Sequence, residues 1–156
     1  MYRIVSVIGP SEPTRKEYEI AYGIGGFLAS MGFVVATGGK SGIMEAALKG
    51  ARDSGGLTLG ILPESDSSLA NPFVDIPVST GIHEIRNFVL VNTGMVIVSI
   101  GISEGTMIEI SYSLKVGKTI FAYNLPEIKG LFEDGRIIRF KNFEEFVEEF
   151  KNFMEV

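Results

Sequence analysis

Two glycine-rich turns hold the residues best suited to chemistry in this chain. The first reads Gly38-Gly39-Lys40-Ser41-Gly42-Ile43-Met44-Glu45-Ala46-Ala47, and the second Gly101-Ile102-Ser103-Glu104-Gly105-Thr106-Met107-Ile108-Glu109. Each follows a β-branched apolar run and precedes a helical pattern. Such a turn lets backbone N–H groups approach a phosphate at a helix N-terminus, where the dipole favours negative charge. One such turn says little. Two in one chain point to a site for a phosphorylated ligand.

Two side chains add charge to these turns. Glu109 falls about one turn into the helix expected from Thr106, at the edge where a ligand would lie, and is the candidate catalytic carboxylate. Thr106-x-x-Glu109 also reads as a capping box, in which Glu109 reaches back to the cap N–H; the two readings are compatible. Arg86 follows Thr80-Gly81-Ile82-His83-Glu84-Ile85 and precedes the apolar Phe88-Val89-Leu90-Val91. An arginine opening a buried helix suits a phosphate or carboxylate through its fork. The alternative is a structural ion pair with Glu84 or Glu109. Lys40 either adds charge at the first turn or is exposed and solvated.

Familiar nucleotide motifs fail on spacing. Gly39-Lys40-Ser41 resembles the end of a P-loop, but the required glycine five positions earlier is Val34. The first strand runs into Gly9-Pro10-Ser11-Glu12-Pro13-Thr14 rather than G-x-G-x-x-G, so a standard NAD site is not expected. His83 is the only histidine and cysteine is absent. That removes disulfides and thiol nucleophiles and leaves a zinc site without ligands, so no metal is expected.

These residues need a scaffold. Short apolar runs at Arg3–Ile8, Phe33–Thr37, Leu57–Leu62, Met95–Ile100, Thr119–Tyr123 and Arg136–Phe140 read as strands, with a short extra one at Phe73–Ile76. Several are apolar at consecutive positions, as in a parallel sheet covered on both faces. Helices fill the gaps: Glu17–Met31 ended by Gly32, Gly42–Ser54 ended by Gly55-Gly56, His83–Asn92, Thr106–Val116 ended by Gly117, and Phe143–Phe153. The last has Phe143, Phe146, Val147, Phe150 and Met154 on one face and glutamates on the other, which reads as a solvated acidic face. The alternation predicts a doubly wound, mainly parallel α/β sheet of about six or seven strands, Rossmann-like, with three α/β/α layers and a single domain over residues 1–156. Gly9, Gly39 and Gly105 are expected to converge at the strand C-termini, near the topological switch point. The polar stretch from Pro63 to Pro72 lies at the same edge, as an ordinary loop or a flap.

Bulk properties agree. The 156 residues are 46% apolar, enough for one core, with a formal net charge of −5. Nucleic acid is not an expected partner without a basic face, and no apolar run is long enough for a membrane span. The chain opens almost directly on a strand pattern, so a leader is not expected and a cytoplasmic protein is the default. The apolar surface of Phe88–Val91 and Met107–Val116 predicts a homo-dimer or tetramer.

The turns also carry a resemblance. The chain, from Arg3 to about Tyr123, resembles the LOG-like Rossmann family, often labelled "lysine decarboxylase-like", and within it the branch of predicted molybdenum-cofactor carrier proteins. The family's glycine cluster followed by G-[LI]-M and small residues is matched by Gly38, Gly39, Gly42, Ile43, Met44, Ala46 and Ala47. Its P-G-G-x-G-T-x-x-E motif is matched at Gly105, Thr106 and Glu109. The resemblance implies one of two roles. The first is binding of a nucleotide-like or pterin-like phosphorylated ligand, with molybdenum cofactor or a nucleoside monophosphate as occupant and no resident cofactor required. The second is a nucleoside 5′-monophosphate phosphoribohydrolase with Glu109 and Arg86 as catalytic pair. An interaction protein with a vestigial cleft is the third alternative. The chain departs from the enzyme motif at Ile102 and Ser103, which replace two glycines, and at Asn87, which replaces a lysine. Crowding of the phosphate approach by residues 102 and 103 favours the carrier over the enzyme. The expected ligand-binding set is Gly9, Ser11, Gly38, Gly39, Lys40, Ser41, Gly42, Met44, Arg86, Asn87, Gly101, Ser103, Gly105, Thr106 and Glu109.

Overall fold

A computed structural model describes residues 1–130 and 132–155. The chain alternates strand and helix: β1 (Ile4–Ile8), α1 (Arg15–Ser30), β2 (Val34–Thr37), α2 (Ile43–Asp53), β3 (Thr58–Leu62), β4 (Ile76–Ser79), α3 (Arg86–Thr93), β5 (Val96–Ile100), α4 (Glu104–Lys115), β6 (Ile120–Tyr123), β7 (Ile137–Phe140) and α5 (Phe143–Met154). The strands form one seven-stranded sheet in the order β4-β3-β2-β1-β5-β6-β7. Every neighbouring pair is parallel. The Rossmann-like α/β fold is therefore as expected, and its switch point lies between β1 and β5.

Alternation along the central strands sorts side chains into two cores. Val5 and Val7 of β1 and Val96, Val98 and Ile100 of β5 join α1, α2 and α5 on one face. Ile8 and Ile97 join Leu90 and Val91 of α3 and Ile110 of α4 on the other. Phe146 and Phe150 of α5 are fully buried and pack against Phe27, Phe33 and Phe121, mostly edge to face. The apolar face read for this helix is the buried one. Gly32, Gly55 and Gly117 follow their helices at φ of 86°, 78° and 81°, the left-handed conformation a glycine takes at little cost.

Of the boundaries that differ from the sequence reading, three have a cause or consequence near the cleft. The extra strand is at Ile76–Ser79, not Phe73–Ile76. The cause is Thr58: its Oγ1 donates to Phe73 O at 2.5 Å and its N–H to Asp75 at 3.0 Å, which anchors residues 73–75 as a lead-in. The helix expected from His83 begins as a 3-10 turn over His83–Ile85, with His83 at φ 55°, and becomes α-helical only at Arg86. Helix α4 begins at Glu104, two residues before the expected start, because Ser103 caps it. The Ser103 hydroxyl accepts from Thr106 N–H at 3.2 Å, so the capping box of Thr106 and Glu109 does not form.

Candidate functional site

The C-terminal ends of β1 and β2 and the N-termini of α3 and α4 enclose a cleft of about 270 Å³. Val7, Ile8 and Leu90 supply its apolar floor. Gly9, Ser11, Gly38, Lys40, Met44, Arg86, Asn87, Ser103, Gly105, Thr106 and Glu109 line it, with exposed Glu84 at the rim. The floor residues and Glu84 were not read from sequence. Val7, Ile8 and Leu90 carry no chemical signature, and Glu84 was legible only as a neighbour of Arg86.

Arg86 governs the electrostatics. It is 5% exposed, yet no ion pair to it forms among the described residues. Its Nη1 donates to the carbonyls of Gly38 and, at 2.7 Å, Ile61, while its buried Nε has no partner. Burial lowers its pKa from the ordinary value, opposed by Glu84, Glu109 and Glu64. An arginine still stays charged at any physiological pH. The ion-pair alternative is therefore replaced by a guanidinium held by carbonyls, its positive charge undischarged.

Glu109 is 8% exposed beside it. Burial pushes its pKa up to about 8; the Arg86 charge pulls the other way and Glu84 adds to the rise. At neutral pH Glu109 is therefore mainly a neutral carboxylic acid, able to donate as well as accept. The cleft keeps the charge of Arg86 rather than cancelling it.

Lys40 is not free. Its Nζ donates to Glu64 at 2.9 Å and to Leu69 O at 2.9 Å, which holds Glu64 below its ordinary carboxylate pKa. The 63–72 stretch is tied to the first glycine turn again by Asn71, whose N–H bonds Gly39 O at 2.9 Å and whose side chain bonds Lys40 O at 2.8 Å. In this structure the stretch is a stapled loop with a 3-10 turn over Ser67–Leu69, not an open flap.

The glycines divide by role. A Cβ at Gly38 would collide with the Arg86 guanidinium and Met44 Sδ, so this glycine is the seat of Arg86. Gly39 and Gly42, at φ 73° and 76°, turn the chain but lie outside the cleft lining, as do exposed Ser41 and buried Gly101. Their N–H groups are partly spoken for: Gly39 N–H bonds Thr37 Oγ1 at 3.0 Å, and Gly101 N–H bonds Tyr123 O at 3.0 Å. Gly9 and Gly105 do line the cleft, whereas Gly39, expected to converge there with them, is not part of its lining and packs against Leu62 and Val74. At the start of α2, Ile43 N–H goes to Pro10 O and no side chain caps the helix. The next N–H groups there, like those of Glu104 and Gly105 in α4, lack intrahelical partners.

Ile102 does not crowd the cleft. Its side chain packs on the core beneath α3 and α4. Ser103 does line the cleft, and its hydroxyl lies 2.9 Å from that of the fully buried Thr106. The departures from the glycine pair thus fill the core and cap a helix. Among the described residues no cluster of three or more His, Cys, Asp or Glu could hold a metal ion, and no helix is long and apolar enough to cross a membrane.

Parallel strands with a cleft at the switch point and a buried arginine lining it define a Rossmann-like α/β fold with a candidate site. A family model places it further: the SLOG cluster4 family matches residues 2–148, and the chain belongs to that family, within the LOG-like superfamily. An uncharacterised protein of Archaeoglobus fulgidus is 38% identical over 124 residues, spanning 80% of this chain and 82% of that protein. Among solved structures, the molybdenum cofactor binding protein from the phototrophic bacterium Rippkaea orientalis is similar at a TM-score of 0.92 and 31% identity, over 99% of this chain and 98% of that one. The molybdenum cofactor carrier protein of Chlamydomonas reinhardtii is similar at 0.90 and 28% identity, over 100% of both chains.

Proposed function

We propose that this protein binds and carries a small phosphorylated ligand of the pterin type in the switch-point cleft, with molybdenum cofactor as the cargo its structural relatives suggest. The carrying observation is Arg86: a guanidinium buried in the cleft, anchored by carbonyls, without a counter-charge and with an unpartnered Nε. A buried charge left uncompensated costs several kcal/mol, and a ligand phosphate is the missing partner. The uncapped N–H groups of α2 face the same need. Ser11, Asn87, Ser103 and Thr106 give the walls neutral donors and acceptors for the polar edge of a heterocycle.

Nucleotide N-glycoside hydrolysis is the second reading, favoured because Glu109 and Arg86 line one cleft. That chemistry draws on a carboxylate facing an electron-poor sugar carbon. A carboxyl group with a pKa of about 8 is mainly neutral at pH 7, which favours binding over hydrolysis.

The test is mass spectrometry of small molecules released from the purified protein, with a nucleoside monophosphate panel followed for free base and ribose 5-phosphate. The carrier reading expects a retained pterin phosphate and no turnover. Arg86→Met should weaken ligand binding roughly ten- to a hundredfold, the loss of one charge-assisted contact. Robust turnover abolished by Glu109→Gln would promote the glycosidase. No ligand and no effect of Arg86→Met would defeat both and leave an interaction protein.

A further inference from the structure

The ends of β2 and β3 carry two successive cross-links. Arg86 makes the first, donating through Nη1 to Gly38 O and, at 2.7 Å, to Ile61 O. Lys40, two residues after Gly38, and Glu64, three after Ile61, make the second, with Lys40 Nζ 2.9 Å from Glu64 Oε2. The approach to α3 fastens the same region: Gly81 N–H bonds Glu64 O at 3.1 Å and His83 N–H bonds Pro63 O at 3.0 Å. Arg86 and Glu64 are therefore neighbours of opposite charge, each within the field of the other. Yet no ion pair joins them among the described residues. Each also leaves an atom orphaned: Glu64 Oε1 and Arg86 Nε are buried without a hydrogen-bond partner.

A buried charge without a partner draws in any counter-ion that can reach it. Lys40 is what restrains Glu64. Its Nζ takes Oε2 and is itself held by Leu69 O at 2.9 Å. Asn71 fixes the backbone on which Lys40 stands, through Gly39 O and Lys40 O.

We propose that Lys40 is a positioning residue for the anion site: it holds the Glu64 carboxylate off Arg86 and so keeps the guanidinium open to a ligand phosphate. The proposal rests on the reading of Arg86 as the phosphate anchor. Glu64 is then an internal competitor of the ligand. Without Lys40, Glu64 Oε1 accepts from Arg86 Nε, the two orphans satisfy each other, and phosphate must displace a carboxylate to enter. Lys40 acts through Glu64 rather than by touching the phosphate. Turning Lys40 toward the ligand would strip Glu64 of its cation and leave two anions side by side, which repel.

Titration of the intact protein and its variants with inorganic phosphate tests this, together with NMR of the arginine Nε–H groups, which needs no ligand. The Arg86 signal is assigned by its loss in Arg86→Met. Lys40→Met should weaken phosphate binding about tenfold or more and move the Arg86 Nε–H signal downfield as a carboxylate accepts from it. Glu64→Gln alone should bind phosphate at least as tightly as the wild type. Lys40→Met combined with Glu64→Gln should return the signal to its wild-type position and the affinity to within about threefold of wild type. A double variant as weak as Lys40→Met would mean that Lys40 touches the anion itself, and would overturn the proposal. An Nε–H signal that Lys40→Met leaves in place would overturn it as well. A wild type that binds no phosphate, with the Nε–H shift present in Lys40→Met and absent in the double variant, would defeat the anchor reading while upholding the restraint of Glu64 by Lys40. Circular dichroism confirms that the variants remain folded.

Discussion

Replacing Glu109 by glutamine tests whether the cleft holds a neutral acid. The unfolded chain releases this proton near the ordinary glutamate pKa of 4.5, while the folded protein keeps it to about 8. Between those values the native state binds more protons than the unfolded state, so wild-type stability falls as pH rises through that window. Below pH 4.5 both states are protonated and the glutamate costs nothing; above 8 both are ionised and the full cost is present. At about 1.36 kcal/mol per pKa unit the shift corresponds to between 4 and 5 kcal/mol. Relaxation of water and of Arg86 around the carboxylate recovers part, leaving about 2–4 kcal/mol. Glutamine is nearly isosteric and does not titrate. Glu109→Gln should match the wild type at pH 4 and exceed it by that amount at pH 8.5, in urea melts run as a pH series. The difference between the two proteins cancels the other titrating groups. A difference that is flat from pH 4 to 9, or that favours the wild type at high pH, would refute the reasoning and mean that Glu109 is held as a carboxylate against Arg86. The same titration should weaken phosphate binding above pH 8, when the cleft loses its net positive charge.

Two further outcomes follow from the turn around Lys40. Gly38→Ala places a methyl group against the Arg86 guanidinium and Met44 Sδ, so thermal or urea melts should show a loss of about 1–3 kcal/mol, and phosphate binding should weaken as Arg86 is displaced. Lys40→Met removes the half-exposed pair with Glu64 and the bond to Leu69 O. Global stability should change by less than about 1 kcal/mol, while limited proteolysis within residues 63–72 should accelerate.

The strand and helix order was legible because it rests on local rules. Consecutive apolar residues in β5 can be covered only on both faces, and a glycine such as Gly32 or Gly117 ends a helix by adopting a backbone angle other residues avoid. The spacing of phenylalanines in α5 named its buried face for the same reason: the pattern and the burial share one period. The meeting of Gly9 and Gly105 at one cleft was legible too, since parallel strands place their C-terminal ends together, whereas Gly39, expected with them, lies outside the lining.

Tertiary structure decided what those residues are. Lys40 reads as a free cation until Glu64 is brought to it across 24 positions. Gly38 reads as a phosphate turn, and its small size instead admits the Arg86 guanidinium from a helix 48 positions away. The cap of α4 falls on Ser103, whose hydroxyl accepts from Thr106 N–H, so Thr106 lies inside the helix rather than at its start. Glu109 carries the same four letters of local motif whether it caps a helix or faces a ligand. Its protonation is set by the atoms packed around it, and desolvation is a property of three-dimensional neighbours that no linear spacing contains.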